Sequence, residues 1–156
     1  MQARLSATDL ACRRGERLLF RKLTLDLRPG DMLEVRGPNG VGKTSLLRIL
    51  AGLAEPFAGE VQRSGEVGLV DARHALDLDR RLGDTLNFWG RLDSCTNPAA
   101  AVAATQIETL LDIPVGYLST GQKQRAAIAR LLARHRPIWL LDEAFAGLDT
   151  AAQGML

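Results

Sequence analysis

The chain has 156 residues, 46% of them hydrophobic, and its Lys and Arg (20) barely outnumber its Asp and Glu (18). That is enough chain for one domain with a real core, and too small a surplus of positive charge to indicate a nucleic-acid partner. The most apolar runs, "IWLL" and "AAAVAA", fall well short of the roughly 18 residues a membrane-spanning helix needs, so no crossing of a bilayer is expected.

The opening "MQARLSATDL" alternates polar and apolar residues and carries no continuous apolar segment of the secretory kind, so a cytosolic location is expected. Cys12 and Cys95 lack CxxC spacing and read as inert thiols of a reducing compartment, with no metal site implied.

Residues 3–12 and 18–27 alternate with period two, Leu23, Leu25 and Leu27 against Thr24 and Asp26, and "RRGE" between them predicts a hairpin turn. Pro29 and Gly30 make a turn of "RPGD". "MLEVRG" is then expected to run as a strand into a glycine loop, and "KTSLLRILAGL" to leave it as a helix. "EPFAGE" turns the chain, and "EVQRS" and "VGLVD" read as short strands separated at Gly65.

From about residue 73 the texture becomes helical. "LGDTLNFWGRL" is one helix, and Asn97 with Pro98 caps a second through "AAAVAATQIETLLDI", so residues 73–118 form a helical insert. A helix from Ser119 to about His135 carries Ile128, Leu131 and Leu132 at core spacing, and Pro137 precedes a buried strand, "IWLLD". No repeat, low-complexity segment or linker divides the chain, which reads as one domain over residues 1–156.

"GPNGVGKT", residues 37–44, fits GxxxxGK[ST] between a strand and a helix. Gly37, Pro38, Asn39, Gly40, Val41 and Gly42 would turn successive backbone N–H groups inward on a β-phosphate, at the positive end of the helix that continues through Ser45. Lys43 would set its ammonium between β- and γ-phosphates, and the Thr44 hydroxyl would ligate Mg²⁺. A glycine turn serving only tight packing would not require the acidic strand end found downstream. There "IWLLDE" puts Asp142 and Glu143 at the carboxyl edge of a sheet, where open α/β folds bind ligands. Asp142 is the candidate Mg²⁺ ligand. Glu143 is the candidate catalytic residue that orients or deprotonates the water attacking the γ-phosphate, with Lys43 stabilising charge.

A second helix start, "LSTGQ" at 118–122, exposes backbone donors beside Ser119 and Gly121. Since the glycine loop already surrounds one side of its own nucleotide, the economical reading is that Ser119, Gly121 and Gln122 cap a nucleotide held by another copy, in a twofold pair burying two ATP molecules.

"GPNGVGKT", "LSTGQ", "IWLLDE" and "AGLD", in this order and spacing, resemble the ATP-binding subunits of ABC transporters over the whole chain. The resemblance implies an α/β fold with a P-loop NTPase core of ABC ATPase type, an N-terminal antiparallel β subdomain and a helical insert. It also implies ATP and Mg²⁺ sandwiched between two ATP-binding subunits, with the Asp149 segment crossing the interface and an integral membrane permease driven by closure.

Within that family, "LACRRGERLLFRKLTLDLRPGD", "LSTGQKQRAAIARL" and "PIWLLDEAFAGLD" are similar to the haem-exporter ATPase subunits of cytochrome c maturation, which implies a place at the cytoplasmic face of the bacterial inner membrane. A soluble ABC-type ATPase acting on nucleic acid or ribosomes would predict coiled-coil insertions or a second cassette, neither of which is visible.

Several positions depart from the family pattern. Arg14 stands where an aromatic residue stacks on adenine, and its guanidinium plane can serve that purpose. No glutamine follows "VGLVD", leaving Asp71 or His74 as substitutes. His135 is read as a favourable charge at a helix end. Ala144 replaces a usual proline without functional meaning. The chain stops at Leu156 without the further strands and switch histidine of the family, so it is expected to be a truncated chain or fragment that binds ATP weakly and hydrolyses it at least about tenfold more slowly than the extended subunit, or a binding-only fragment without turnover.

Overall fold

In the computed structural model, which describes residues 2–71, 75–94 and 97–142, the two alternating N-terminal stretches form the hairpin their pattern predicts. Strands β1 (Arg4–Arg14) and β2 (Arg17–Leu27) pair antiparallel, turning at Gly15 with φ 59°. Strand β3 (Ala58–Ser64) pairs antiparallel on the other side of β1, giving the order β2-β1-β3. A register shift between Ala7 and Leu10, with Asp9 at φ 50°, changes the phase of β1. The core face therefore takes Leu5 and Ala7 before the bulge and Leu10 and Cys12 after it.

Helix α1 (Lys43–Leu50) closes this sheet, burying Leu46, Ile49 and Leu50 in the same cluster. Strands β4 (Val67–Val70) and β5 (Ile138–Leu141) form a separate two-stranded pair, and Ile138 and Leu140 join the core. Apart from Val70, these elements belong to a first compact unit, residues 2–69 and 136–142.

The second unit runs from Val70 to His135. Its helices are α2 (Leu82–Leu92), α3 (Pro98–Ala104) and α4 (Thr120–Leu132), around a core of Leu82, Ile107, Val115, Leu118, Ala126 and Ala129. The link after α3 is tied to the start of α2 by Gly83 N–H donating to Leu111 O at 2.8 Å and Leu82 N–H to Ile113 O at 3.0 Å. Ile128 and Leu131 are buried as their spacing predicts, and Leu132 is partly buried against Ile128. Among the described residues, no helix is long and apolar enough to cross a membrane.

Four local expectations are corrected. "MLEVRG" is not a strand: no ladder hydrogen bond joins residues 32–37 to a neighbour among the described residues, and Met32 is 95% exposed. A strand of this composition needs a partner on at least one edge, and composition does not supply one.

The helix through the glycine loop ends at Leu50 and not Leu53, because Gly52 turns left-handed at φ 78°. The helix capped by Asn97 ends at Ala104 and does not reach Ile113. Thr105 turns its hydroxyl back onto Ala101 O at 2.9 Å, and Gln106 adopts φ 53°. Strand β5 is buried on one face only, since Trp139 points out and donates its indole N–H to Arg136 O at 2.7 Å.

Candidate nucleotide site

The glycine loop owes its shape to three positions that only glycine holds easily. Gly37, Gly40 and Gly42 lie at φ 156°, 78° and 112°. At Gly42 the main chain runs so close to the hairpin that a Cβ would stand 3.2 Å from Leu19 Cβ and from Phe20 Cδ1. At Gly37 a Cβ would meet Val41 Cγ1 at 3.1 Å. At these two positions the loop has room for backbone and little for a side chain, whereas Gly40 faces open space and is held to glycine by its φ alone.

Lys43 folds back across the loop and donates from Nζ to Gly37 O at 2.7 Å and Pro38 O at 3.2 Å. This use of two of its three N–H donors holds the ammonium over the loop.

Helix α1 starts immediately after Gly42 and has no side-chain cap. The N–H groups of Lys43, Thr44 and Ser45 thus open the helix without an intrahelical partner, and the first helical bond comes from Leu46 N–H to Gly42 O at 2.8 Å. Uncapped donors, a positive helix end and an ammonium converge on one glycine-lined surface, a donor set that fits a polyphosphate. Thr44 is exposed, so its hydroxyl is free to meet a metal.

Asp142 directly follows β5 in the same unit as the loop, and it is 9% exposed. A nearly buried carboxylate at a strand end fits the oxygen chemistry of Mg²⁺. Glu143, His74, Ala144 and Asp149 lie outside the described residues, as does Cys95, whereas Cys12 is buried. Asp71 follows β4 and is half-buried.

The second helix start belongs to the other unit. Ser119 caps α4 in a reciprocal box: its Oγ accepts from Gln122 N–H at 3.2 Å, and Gln122 Oε1 accepts from Ser119 N–H at 2.8 Å. Gln122, expected as a nucleotide contact, is thereby engaged in the helix's own cap. The N–H groups of Thr120 and Gly121 remain at the helix mouth.

Arg14 is exposed and faces Arg17 across the hairpin. Its neighbour Arg13 is the one that lies over an aromatic ring, 4.5 Å from the Phe57 centroid. His135 lies two residues beyond the Ala133 cap of α4, outside the helix itself.

Arg63 stands outside every motif of the sequence. It reaches from β3 to donate to Leu50 O and Ile49 O, each at 2.7 Å, at the far end of α1. Only the three-dimensional return of β3 brings it there, so no local signal marks it.

This glycine-loop site, beside an antiparallel β sheet and with a separate helical unit, has the organisation of an ABC ATPase, and the family model described as ABC transporter matches residues 20–146. The chain belongs to the ABC transporter family.

Two curated relatives are cytochrome c biogenesis ATP-binding export proteins CcmA. The one from Novosphingobium aromaticivorans is 54% identical over 93% of this chain and 74% of its own length. The one from Sphingopyxis alaskensis is 48% identical over 100% of this chain and 81% of its own. Among solved structures, a metal-chelate type ABC transporter in an inward-facing conformation matches with TM-score 0.81 and 27% identity, over 99% of this chain and 65% of that one.

Proposed function

We propose that this chain is the ATP-binding and ATP-hydrolysing subunit of an ABC exporter serving c-type cytochrome biogenesis, with haem or a haem-handling step as the transported business. The observation that carries the nucleotide part is the uncapped start of α1 behind three left-handed glycines, under the Lys43 ammonium. The two CcmA relatives support the cytochrome c part through their names and their coverage of this chain.

On this reading the N–H groups of Lys43, Thr44 and Ser45 bind the β-phosphate and Lys43 shifts from its loop carbonyls to the β- and γ-phosphate oxygens. Mg²⁺, when bound, neutralises charge developing between those phosphates. Thr44 and Asp142 are the residues that would hold it. Arg14 offers a cationic plane to the base. Glu143 orients or deprotonates the attacking water.

The capped start of α4, through Ser119 and Gly121, receives the γ-phosphate of ATP held by a second copy, so that two subunits close on two nucleotides. Closure is transmitted to an integral membrane permease subunit of the cytochrome c maturation system. The subunit itself sits peripherally at the cytoplasmic face of the bacterial inner membrane.

Titration of the purified subunit with Mg-ATP tests the core of this reading. Lys43→Ala should weaken binding by at least about tenfold, equivalent to about 1.4 kcal/mol. Equal curves for the two proteins would remove the glycine loop as the phosphate site.

A further inference from the structure

Helix α1 carries the phosphate-facing donors at its start, and its other end is closed with unusual completeness. Ala51 N–H donates to Leu47 O at 2.8 Å, Leu53 N–H to Arg48 O at 2.8 Å and Gly52 N–H to Ile49 O at 3.0 Å. The last two bonds, with Gly52 at φ 78°, make a Schellman closure. That closure provides no backbone donor for Leu50 O.

Arg63 supplies it from β3, donating Nε to Leu50 O and Nη2 to Ile49 O, each at 2.7 Å. Gly52 lies against the same guanidinium, where a Cβ would stand 3.4 Å from Cζ and 3.5 Å from both terminal nitrogens. One planar cation is thus fitted between two carbonyls and a glycine.

We infer that Arg63 is a positioning residue for phosphate binding, acting by holding the carboxyl end of α1 to β3 so that the unpaired N–H groups at its amino end keep a common aim. The inference rests on the glycine loop being the phosphate site.

The geometry favours this role over simple surface decoration for three reasons. Helix α1 has eight residues, about 12 Å of rod, so a pivot at one end displaces the other directly. A helix this short has little stability of its own, and its direction is set by what grips it. At its amino end it has no side-chain cap, and residues 32–37 leading to the loop make no ladder bond among the described residues. Beside the buried faces of Leu46, Ile49 and Leu50, the Arg63 fork therefore adds a two-point polar grip on its orientation. It also places a cation at the negative end of the helix dipole. A lysine could reach one carbonyl with a single point charge but could not reproduce the fork.

Arg63→Met, Arg63→Lys and Lys43→Ala should be compared with the parent for binding of ATP and of adenosine, alongside thermal unfolding. Arg63→Met is expected to weaken ATP about fivefold while adenosine binding stays within about twofold, because only the phosphate donors are misaimed. Arg63→Lys should recover part of the loss, and it serves as the test if the methionine variant does not fold.

Equal weakening of ATP and adenosine, or a lowered melting temperature with unchanged ATP affinity, would overturn the positioning role and leave a purely structural one. Unchanged ATP binding by Lys43→Ala would overturn the glycine-loop reading itself. A loss with Lys43→Ala but none with either Arg63 variant would overturn only the inference about Arg63.

Discussion

Ser119 can be made to report separately on its two roles. Its Oγ accepts from Gln122 N–H at 3.2 Å as the cap of α4, and on the proposed reading the same helix mouth receives a phosphate from a second copy. Ser119→Ala removes the acceptor and leaves Gln122 Oε1 on the residue's own N–H, so it should cost about 1 kcal/mol and lower the melting temperature by about 3 °C. Ser119→Asp keeps an acceptor in the same place and sets a negative charge at the positive end of the helix, worth about 0.3–1 kcal/mol in its favour. Its folding stability should therefore match or exceed that of the parent.

The same carboxylate would stand beside the γ-phosphate. Two like charges about 4 Å apart repel by about 1 kcal/mol in water and about 4 kcal/mol at a protein surface. Even the lower figure weakens each of two symmetric contacts about fivefold. The assay is light scattering with Mg-ATP in a Glu143→Gln background, where slowed hydrolysis should let the closed pair accumulate. Ser119→Asp should stay monomeric at ATP concentrations that double the mass of its background. Dimerisation of a well-folded Ser119→Asp protein at the same ATP concentration would refute the phosphate role, leaving Ser119 as a cap alone.

Two further outcomes are expected. Asp142 is nearly buried at the end of β5, so Asp142→Asn, which keeps its size and shape, should leave the apo melting temperature close to that of the parent. It should also abolish at least about tenfold of the Mg²⁺-dependent gain in ATP affinity, read by titration with and without the metal. Between β1 and β2, Arg4 holds Asp26 through bonds of 2.7 and 3.0 Å, and this hydrogen-bonded pairing keeps the carboxyl below its ordinary range. Because the folded value is the depressed one, the pair's contribution is present above the unfolded carboxylate range and is lost as pH falls through the folded value. The urea midpoints of parent and Asp26→Asn should therefore differ at neutral pH, by a small amount since both groups are exposed, and converge in acid.

What could be read from the sequence was what is decided within a few residues. The hairpin, the limits of α2 at Leu82 and Leu92, the Asn97 cap and the start of α4 at Ser119 were all legible, since each rests on a period, a proline or a capping side chain. The left-handed glycines of the loop are equally local. What was missed depends on a distant partner or on a local bond or turn that composition does not mark. Residues 32–37 have strand composition without a paired neighbour among the described residues, and Trp139 faces out with its indole N–H on Arg136 O. Thr105 N–H still makes the helical bond to Ala101 O, and the Asn97-capped helix stops where Gln106 turns left-handed at φ 53°. Arg63 meets α1 only after the chain has passed through the turn and returned as β3.

The two helix starts that drew attention in the sequence turn out to be unequal as anion sites, and the inequality orders their use. At α1 all three opening donors, those of Lys43, Thr44 and Ser45, are uncapped, and an ammonium stands over them. At α4 the third donor, Gln122 N–H, is already held by Ser119 Oγ, which leaves the N–H groups of Thr120 and Gly121. A polyphosphate therefore gains more contacts, and a full positive charge, at α1. The cap of α4 need not open for a phosphate to be met by Thr120 and Gly121, so this second contact carries no unfolding cost, but it is weaker. On the proposed reading ATP occupies the glycine loop of a single subunit first, and α4 of another copy adds to a nucleotide already held. The weaker site then governs pairing and the stronger one governs affinity, which lets a subunit stay loaded with ATP while the pair opens and closes.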